Sequence, residues 1–172
     1  MNNIYLIGMM GSGKTVTGKA LARLAQMDFV DLDEEIESET RLTINEIFQK
    51  RGEPFFRAEE KRILNRIARQ KNTVVATGGG VVLDPENVGK MKETGRLVYL
   101  LTSFETLWER VRDKRDRPLL AAADPQGTFL KLFQQRKPLY EASCDGRAAT
   151  DGLTADRVAR KIAEEFLKIT TP

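Results

Sequence analysis

Short apolar runs alternate along this chain with longer segments in which apolar residues recur every three or four positions. The predicted strands lie at residues 2–7, 28–33, 73–76, 97–101 and 147–149. Short runs of this kind are typical of parallel strands, and the periodic segments between them indicate amphipathic helices. The alternation predicts an α/β protein with a three-layer α/β/α fold and a mainly parallel sheet.

Residues that favour helix starts and stops lie at the expected boundaries. They include the capping-box pair Thr43 and Glu46, the caps Ser103 and Thr154, and Asp84 followed by Pro85. Between these signals the spacing predicts helices on either side of Gly52 and over residues 126–141. The helix after residue 15 is predicted to have an apolar face formed by Val16, Ala20, Leu21 and Leu24.

The composition narrows the class of protein. A chain of 172 residues fits one domain over 1–172 that buries roughly 70% of its unfolded surface. Hydrophobic residues make up 41% and charged residues 31%, as in ordinary globular proteins. The net charge of +3 suits an anionic small molecule. The most basic stretch, from Arg110 to Arg117, has few of the aromatic residues that nucleic-acid binding favours.

The cysteine and histidine counts bear on the compartment and the chemistry. Cys144 is the single cysteine, which favours a reducing compartment, and there is no histidine, so proton transfer must use Asp, Glu, Lys or Arg. No apolar run approaches a membrane span, and Gly8 interrupts the first run too early for a signal peptide. We therefore expect a cytoplasmic protein with no membrane or nucleic-acid partner.

Residues 8–15 form the pattern G-x-x-x-x-G-K-[ST], which is the phosphate-binding loop. Its glycines allow a tight turn whose N–H groups form an anion site, and the following helix adds its dipole. Lys14 would reach the β- and γ-phosphates, and the Thr15 hydroxyl would bind Mg²⁺. The alternative is a glycine-rich turn that binds nothing, but the strand before it and the helix after it favour a nucleotide site.

Asp31 and Asp33 stand at the end of the second predicted strand. Alternation along a strand would put both carboxylates on one face, at the carboxyl edge of the sheet where ligands bind. They could then serve a metal and a substrate hydroxyl. The alternative is that they cap the following helix, and the spacing alone does not decide between the two.

Three further stretches have both a functional and a structural interpretation. Gly78, Gly79 and Gly80 follow the third strand, which favours close approach of the backbone to another group over a loose linker. Arg57 lies near a helix start, where a solvated arginine is the simpler interpretation. From Arg110 to Arg117 there are five basic residues and two acidic ones, and the stretch that follows is framed by Pro118 and Pro125, as in a mobile lid, although a solvated basic loop or a nucleic-acid patch would look similar.

These motifs, taken in order, resemble those of the shikimate kinases, small P-loop enzymes of the nucleoside-monophosphate-kinase-like group. The resemblance covers nearly the whole chain. The motifs are Gly8 to Thr15, Asp31-Leu32-Asp33, Phe55-Phe56-Arg57, Gly78-Gly79-Gly80, Arg117-Pro118-Leu119-Leu120 and Arg136-Lys137-Pro138-Leu139-Tyr140. The phosphate loop alone would be unspecific, whereas the ordered set is highly specific.

The resemblance implies a single kinase domain that phosphorylates the 3-hydroxyl of shikimate with ATP and Mg²⁺. The products would be shikimate 3-phosphate and ADP, in aromatic amino-acid biosynthesis. It further implies a five-stranded parallel sheet of order 2-3-1-4-5, a substrate-binding segment at about 32–61 and a lid at about 112–124. We also expect a monomer.

The resemblance assigns roles to residues of this sequence. The catalytic groups would be Lys14, Asp33 and Arg117. The nucleotide would be held by Gly11, Ser12, Gly13, Lys14, Thr15, Val16, Arg110 and Arg117. Shikimate would be held by Asp33, Arg57, Gly79, Gly80 and Arg136. The metal would be held by Thr15 and, through water, Asp31. Because phosphoryl transfer has a loose transition state, we expect Asp33 to orient the hydroxyl before it takes a proton.

The chain departs from the family pattern at two places. Val16 stands where the family often has a second hydroxyl residue, and Thr150-Asp151-Gly152 is only a weak match to the variable adenine-binding stretch.

Three other functions compete with this one. A gluconate kinase is the nearest rival, but Arg57, Gly79 and Arg136 favour shikimate. A GTPase-like switch would need N-K-x-D, which the sequence lacks. A catalytically silent ATP-binding module is the third.

Overall fold

Five parallel strands form the sheet of this protein in a computed structural model that describes residues 2–113 and 123–169. The strand order is β2-β3-β1-β4-β5, which confirms the order expected from the resemblance. The strands are β1 (Asn3–Ile7), β2 (Asp28–Asp31), β3 (Thr73–Ala76), β4 (Gly95–Leu101) and β5 (Gly146–Ala149). Because the phosphate loop follows the central strand β1, it lies at the middle of the carboxyl edge of the sheet.

Helices connect the strands in the alternating order that the sequence predicts. They are α1 (Lys14–Ala25), α2 (Leu32–Thr40), α3 (Ile44–Lys50), α4 (Glu53–Ile67), α5 (Pro85–Thr94), α6 (Phe104–Val111), α7 (Pro125–Ser143) and α8 (Ala155–Ile162). A 3₁₀ turn at Val81–Leu83 precedes α5, and one π-helical turn, Ala163–Leu167, extends α8. No described helix has both the length and the apolar character that a membrane span requires.

The sheet is covered on both faces, which gives the three layers that were predicted. Alternation along β1 directs Ile4 and Leu6 into a core with α1 and α8, and it directs Tyr5 and Ile7 into a larger core on the other face. Helices α2 to α7 all contribute to that second core. A strand buried on both faces reads as a continuous apolar run, which explains why β1 was clear in the sequence.

The predicted helix starts are confirmed. Thr43 and Glu46 form a complete capping box, and Asp84, Ser103 and Thr154 each accept a hydrogen bond from a backbone N–H in the first turn of their helix. These caps depend only on neighbouring residues, so that local sequence was enough to find them.

The predicted apolar face of α1 is wrong at Val16, whose side chain is 58% exposed. Thr17, Ala20 and Leu21 are buried instead. Val16 lies in the first turn of α1, beside the phosphate loop, whereas Thr17 in the same turn is buried. Periodicity identifies a helical face but not how far the buried part of that face extends around the helix.

The second strand is also shorter than predicted. β2 ends at Asp31, and α2 begins at Leu32, so Asp33 is a helical residue. The argument that strand alternation aligns Asp31 with Asp33 is therefore wrong. The cause is local, since Asp31 caps α2 by accepting hydrogen bonds from the N–H groups of Asp33 and Glu34, and this ends the strand.

Candidate active site

The phosphate loop turns from β1 into α1 with the geometry of an anion site. Gly11 and Gly13 have φ values of 85° and 89°, in the left-handed region that glycine enters without steric cost. The Lys14 ammonium group donates hydrogen bonds to the carbonyls of Gly8 at 2.8 Å and Met9 at 3.0 Å. The cation is thus held over the loop, at the N-terminus of α1, where anions are stabilised.

A cavity of about 450 Å³ opens over this loop, and we call it the phosphate-loop cavity. Its walls contain all the residues that the sequence assigned to the nucleotide within the described ranges, namely Gly11, Ser12, Gly13, Lys14, Thr15, Val16 and Arg110. Arg110 donates to the Gly11 carbonyl at 3.0 Å, which fixes it at the rim of the loop. Arg117 lies outside the described residues, as does most of the expected lid.

The phosphate-loop cavity is also lined by residues that the sequence did not suggest. Leu153, Ala155 and Val158 contribute apolar surface next to Thr150. Thr150 belongs to the weakly matched adenine stretch, but Asp151 accepts hydrogen bonds from the Ser103 N–H instead of lining the cavity. Apolar residues at a helix start give little functional signal in a sequence, because they are equally expected in the core.

Asp31 serves two neighbours at once. One of its oxygens caps α2, and the other accepts a 2.6 Å hydrogen bond from the Thr15 hydroxyl. A hydroxyl and a carboxylate are the oxygen donors that Mg²⁺ prefers, and Mg²⁺ commonly takes its other ligands from phosphates and water. In the parts of the chain that are described, no three Asp, Glu, His or Cys side chains converge as a metal-binding group. The donor pair therefore fits a Mg²⁺ ion that arrives with a nucleotide.

A second cavity, of about 510 Å³, adjoins the first, and we call it the arginine cavity. It contains every described residue that the sequence assigned to the substrate, namely Asp33, Arg57, Gly79, Gly80 and Arg136. The two cavities share five lining residues: Met10, Thr15, Asp31, Asp33 and Gly79. Asp31 and Asp33 thus come together where the cavities meet, although the reason given from the sequence was wrong.

Arg57 is held in the arginine cavity by two carboxylates, and the solvated interpretation is wrong. Its guanidinium donates to Glu60 at 2.8 Å and to Glu53 at 3.2 Å, and its side chain is only 26% exposed. It also lies over the ring of Phe56, with Cζ 5.1 Å from the centroid. Burial acts to lower the pKa of Arg57, but the charges of Glu60 and Glu53 outweigh it and raise that pKa.

Glu60 is a site residue that the sequence analysis did not identify. Its side chain is 1% exposed, and burial raises the pKa of its carboxyl although Arg57 pulls that pKa down. Within the described residues its Oε1 atom has no hydrogen-bond partner. The i, i+3 spacing from Arg57 was the available signal, but such pairs are common on exposed helix faces.

Arg136 enters the same cavity from α7. Its side chain is only 7% exposed, and its Nε has no partner among the described residues. A buried charged donor of this kind indicates a missing acceptor, because buried charges are normally paired. The arginine cavity therefore combines two guanidinium groups with buried donor and acceptor capacity, which suits a small, polar, anionic ligand.

The glycine loop after β3 is required by close approach, as predicted. A Cβ atom on Gly78 would lie 2.8 Å from Glu60 Oε1 and 3.0 Å from Asp33 Oδ1, and one on Gly80 would clash with the Arg57 guanidinium. A Cβ on Gly79 would lie 3.5 Å from Arg136 Nη1. The loop thus brings bare backbone against four charged side chains of the arginine cavity.

Comparison with known proteins identifies the family. The sequence profile described as shikimate kinase matches residues 10–167. The chain belongs to the shikimate kinase family. A shikimate kinase from Thermodesulfovibrio yellowstonii is 44% identical over 170 residues, which covers 99% of this chain and 98% of that protein. One from Persephonella marina is also 44% identical and covers 94% of this chain and 97% of that protein.

Solved structures agree with the family assignment. The structure of shikimate kinase from Acinetobacter baumannii in complex with shikimate is 39% identical and has a TM-score of 0.94, and the match covers 98% of this chain and 94% of that chain. A gluconokinase from Sinorhizobium meliloti is 18% identical with a TM-score of 0.56, which shows a shared fold alone. The family members thus lie much nearer than the rival kinase.

Proposed function

We propose that this chain transfers the γ-phosphoryl group of ATP to the 3-hydroxyl of shikimate, giving shikimate 3-phosphate and ADP in aromatic amino-acid biosynthesis. The observation that carries the proposal is that the phosphate-loop cavity and the arginine cavity meet at Asp33 and Gly79. Phosphoryl transfer needs a nucleotide and an acceptor side by side, and this junction supplies that arrangement. Family membership and the relative solved with shikimate support the same function.

The nucleotide phosphates would lie against the loop amides of Gly11 to Gly13, with Lys14 as the nearest fixed cation. Thr15 and Asp31 would hold Mg²⁺, which when bound would neutralise charge on the β- and γ-phosphates. Arg110 would border the base from the rim, and Arg117 would approach the phosphates from the proposed lid. Positive groups fixed before the reaction stabilise charge on the transferring group without reorganising during it.

Shikimate would occupy the arginine cavity, with its carboxylate between Arg57 and Arg136. Guanidinium groups suit this task because their planar donors match the two oxygens of a carboxylate. The N–H groups of Gly79 and Gly80 would donate to the substrate as well. Ring hydroxyls would then face Asp33, at the junction with the phosphate-loop cavity.

Asp33 would accept a hydrogen bond from the attacking 3-hydroxyl. In the transfer, a bond forms between the 3-hydroxyl oxygen and the γ-phosphorus. The bond between the γ-phosphorus and the oxygen that bridges the β- and γ-phosphates breaks, and ADP leaves with that oxygen. In a loose transition state the nucleophile gains little bond order early, so its proton can leave late. Orientation is therefore the first role of Asp33, and acceptance of the proton would follow.

A coupled assay for ADP release tests the proposal. We expect release that depends on both Mg²⁺ and shikimate and a much lower rate with gluconate as the acceptor. Equal rates with the two acceptors would favour the rival kinase function. Nucleotide binding without release in the presence of shikimate would instead indicate a silent ATP-binding module.

We further propose that the enzyme acts as a cytoplasmic monomer on this small molecule, without nucleic-acid or membrane partners. The modest net charge of +3 supports the absence of a nucleic-acid partner, since a strong basic patch would be expected of a nucleic-acid binder. Light scattering at assay concentration tests the monomer, and a dimer mass would contradict it.

A further inference from the structure

Tyr140 anchors the glycine loop from within the core. Its side chain is fully buried, and its hydroxyl donates a 2.5 Å hydrogen bond to the Gly79 carbonyl. The ring stacks on Tyr99 of β4, with centroids 5.2 Å apart and planes inclined by 27°. Burial raises the pKa of Tyr140 above its ordinary value, so the hydroxyl stays a neutral donor at physiological pH.

The bond acts on the peptide group that joins Gly79 to Gly80. In a planar trans peptide the carbonyl and the N–H point in opposite directions, so holding the Gly79 oxygen directs the Gly80 N–H away from Tyr140. Gly80 lines the arginine cavity. Among the described residues its N–H has no hydrogen-bond partner, so it remains available to a ligand.

This loop needs an anchor of that kind. Gly78, Gly79 and Gly80 have no side chains to fix their backbone, and glycine has more conformational freedom to lose than any other residue. Tyr140 lies one turn after Arg136 on α7, and a Cβ atom on Gly79 would lie 3.5 Å from Nη1 of Arg136. A single helix therefore positions both the arginine and the backbone amide on the same side of the arginine cavity.

We propose that Tyr140 is a positioning residue of the acceptor site, where it fixes the Gly79–Gly80 peptide so that the Gly80 N–H faces shikimate. Tyr140 lines neither cavity, and it acts on the acceptor site through the peptide that its hydroxyl holds. The proposal rests on the proposed function, because it takes shikimate as the acceptor. It assigns a role to the last residue of the motif at 136–140 that the resemblance left without one.

The test compares Tyr140→Phe with Tyr5→Phe. Both remove one buried hydroxyl and keep the ring, but the Tyr5 hydroxyl bonds to Thr94 at 2.8 Å and has no contact with either cavity. We expect Tyr140→Phe to raise the Kd and KM for shikimate about two- to tenfold, the range for one neutral hydrogen bond. We expect the Kd for ADP to stay within about twofold in both variants.

Thermal unfolding separates positioning from general loss of stability. If Tyr5→Phe destabilises the protein as much as Tyr140→Phe and leaves the Kd for shikimate unchanged, the positioning role is supported. An unchanged Kd in folded Tyr140→Phe overturns it, as does an equal weakening of shikimate and ADP. The assay of the wild type tests the proposed function separately. If the wild type shows no shikimate-dependent ADP release, the proposed function fails, whatever the effect of Tyr140→Phe.

A second readout needs no turnover. In the wild type, the Gly80 amide should show restricted motion by ¹⁵N relaxation and a chemical shift that changes on titration with shikimate. In Tyr140→Phe the amide should become more mobile and its shikimate-induced shift smaller. An amide as rigid as in the wild type, with the same induced shift, would overturn the proposal.

Discussion

The Arg57 guanidinium lies 2.8 Å from the buried carboxylate of Glu60, so a residue outside the predicted site holds one that is inside it. Burial raises the pKa of this carboxyl above its ordinary value of 4.5, although the charge of Arg57 acts to lower it. This ion pair keeps Arg57 turned into the arginine cavity. Without it, the long side chain would extend its charged end into solvent.

This relationship predicts a pH dependence of stability. A raised folded-state pKa means that the folded protein binds the Glu60 proton more tightly than the unfolded chain does. The contribution of Glu60 to stability is therefore greatest below about 4.5 and falls as the pH rises through the raised pKa. We expect the unfolding free energy of the wild type, relative to Glu60→Gln, to decline with rising pH in urea titrations from pH 4 to 8.

Glu39→Gln is the matched control for that measurement. The hydrogen bond from Arg62 lowers the pKa of Glu39, so the stabilisation that Glu39 contributes is present above about pH 4.5 and is lost as the pH falls. The unfolding free energy of the wild type relative to Glu39→Gln should therefore rise with pH, whereas that relative to Glu60→Gln should fall. A flat difference for Glu60→Gln would show that the carboxyl titrates alike in both states.

Loss of Lys14 should abolish most of the transfer and leave the fold intact. Lys14→Ala removes a cation fixed over the phosphate loop, and loss of one such preorganised contact costs about a hundred- to a thousandfold in kcat. Lys19→Ala is the control, since Lys19 lies on the same helix but is exposed and pairs only loosely with Glu34 at 3.7 Å. Near-wild-type turnover in folded Lys14→Ala would contradict the assignment of Lys14 as a catalytic cation.

Asp33→Asn should weaken the acceptor side more than the nucleotide side. Asp33 lines both cavities, but its proposed partner is a shikimate hydroxyl, whereas the metal pair is Thr15 and Asp31. We expect kcat to fall and the Kd for shikimate to rise, with little change in the Kd for ATP. Asp28→Asn, on the exposed start of β2, should change neither affinity. Equal losses for both ligands would indicate a structural or metal role instead.

Arg136→Ala should remove much of the preference for a carboxylate. A charge-assisted hydrogen bond contributes roughly 1.5–3 kcal/mol, so that shikimate binding should weaken about ten- to a hundredfold. Shikimate methyl ester keeps the hydroxyls but lacks the charge, and kcat/KM for acid and ester can be compared in both proteins. Arg23→Ala, an exposed arginine paired with Asp156, should keep the wild-type preference. If Arg136→Ala keeps it too, Arg136 does not hold the carboxylate.

Local sequence determined the elements of this fold and the phosphate loop. The strand runs, the capping box at Thr43 and Glu46, and the Asp84–Pro85 start depend on residues within one turn of each other. The same is true of the residues 8–15. Helix α7 was predicted although Pro138 lies inside it, because Phe129, Leu132 and Phe133 recur at helical spacing before that proline.

Tertiary packing decided how the acceptor side is built. Arg57, Glu60, Gly79 and Arg136 come from α4, the loop after β3 and α7, and only the folded chain brings them to one cavity. Their spacing along the chain carries no such information, since an arginine on a helix is usually solvated. The predicted packing of Val16 went wrong for the same reason, whereas the strand predicted through Asp33 ended early for a local reason, the capping of α2 by Asp31. A repeating pattern tells which residues share a face, and the neighbouring elements decide what that face meets.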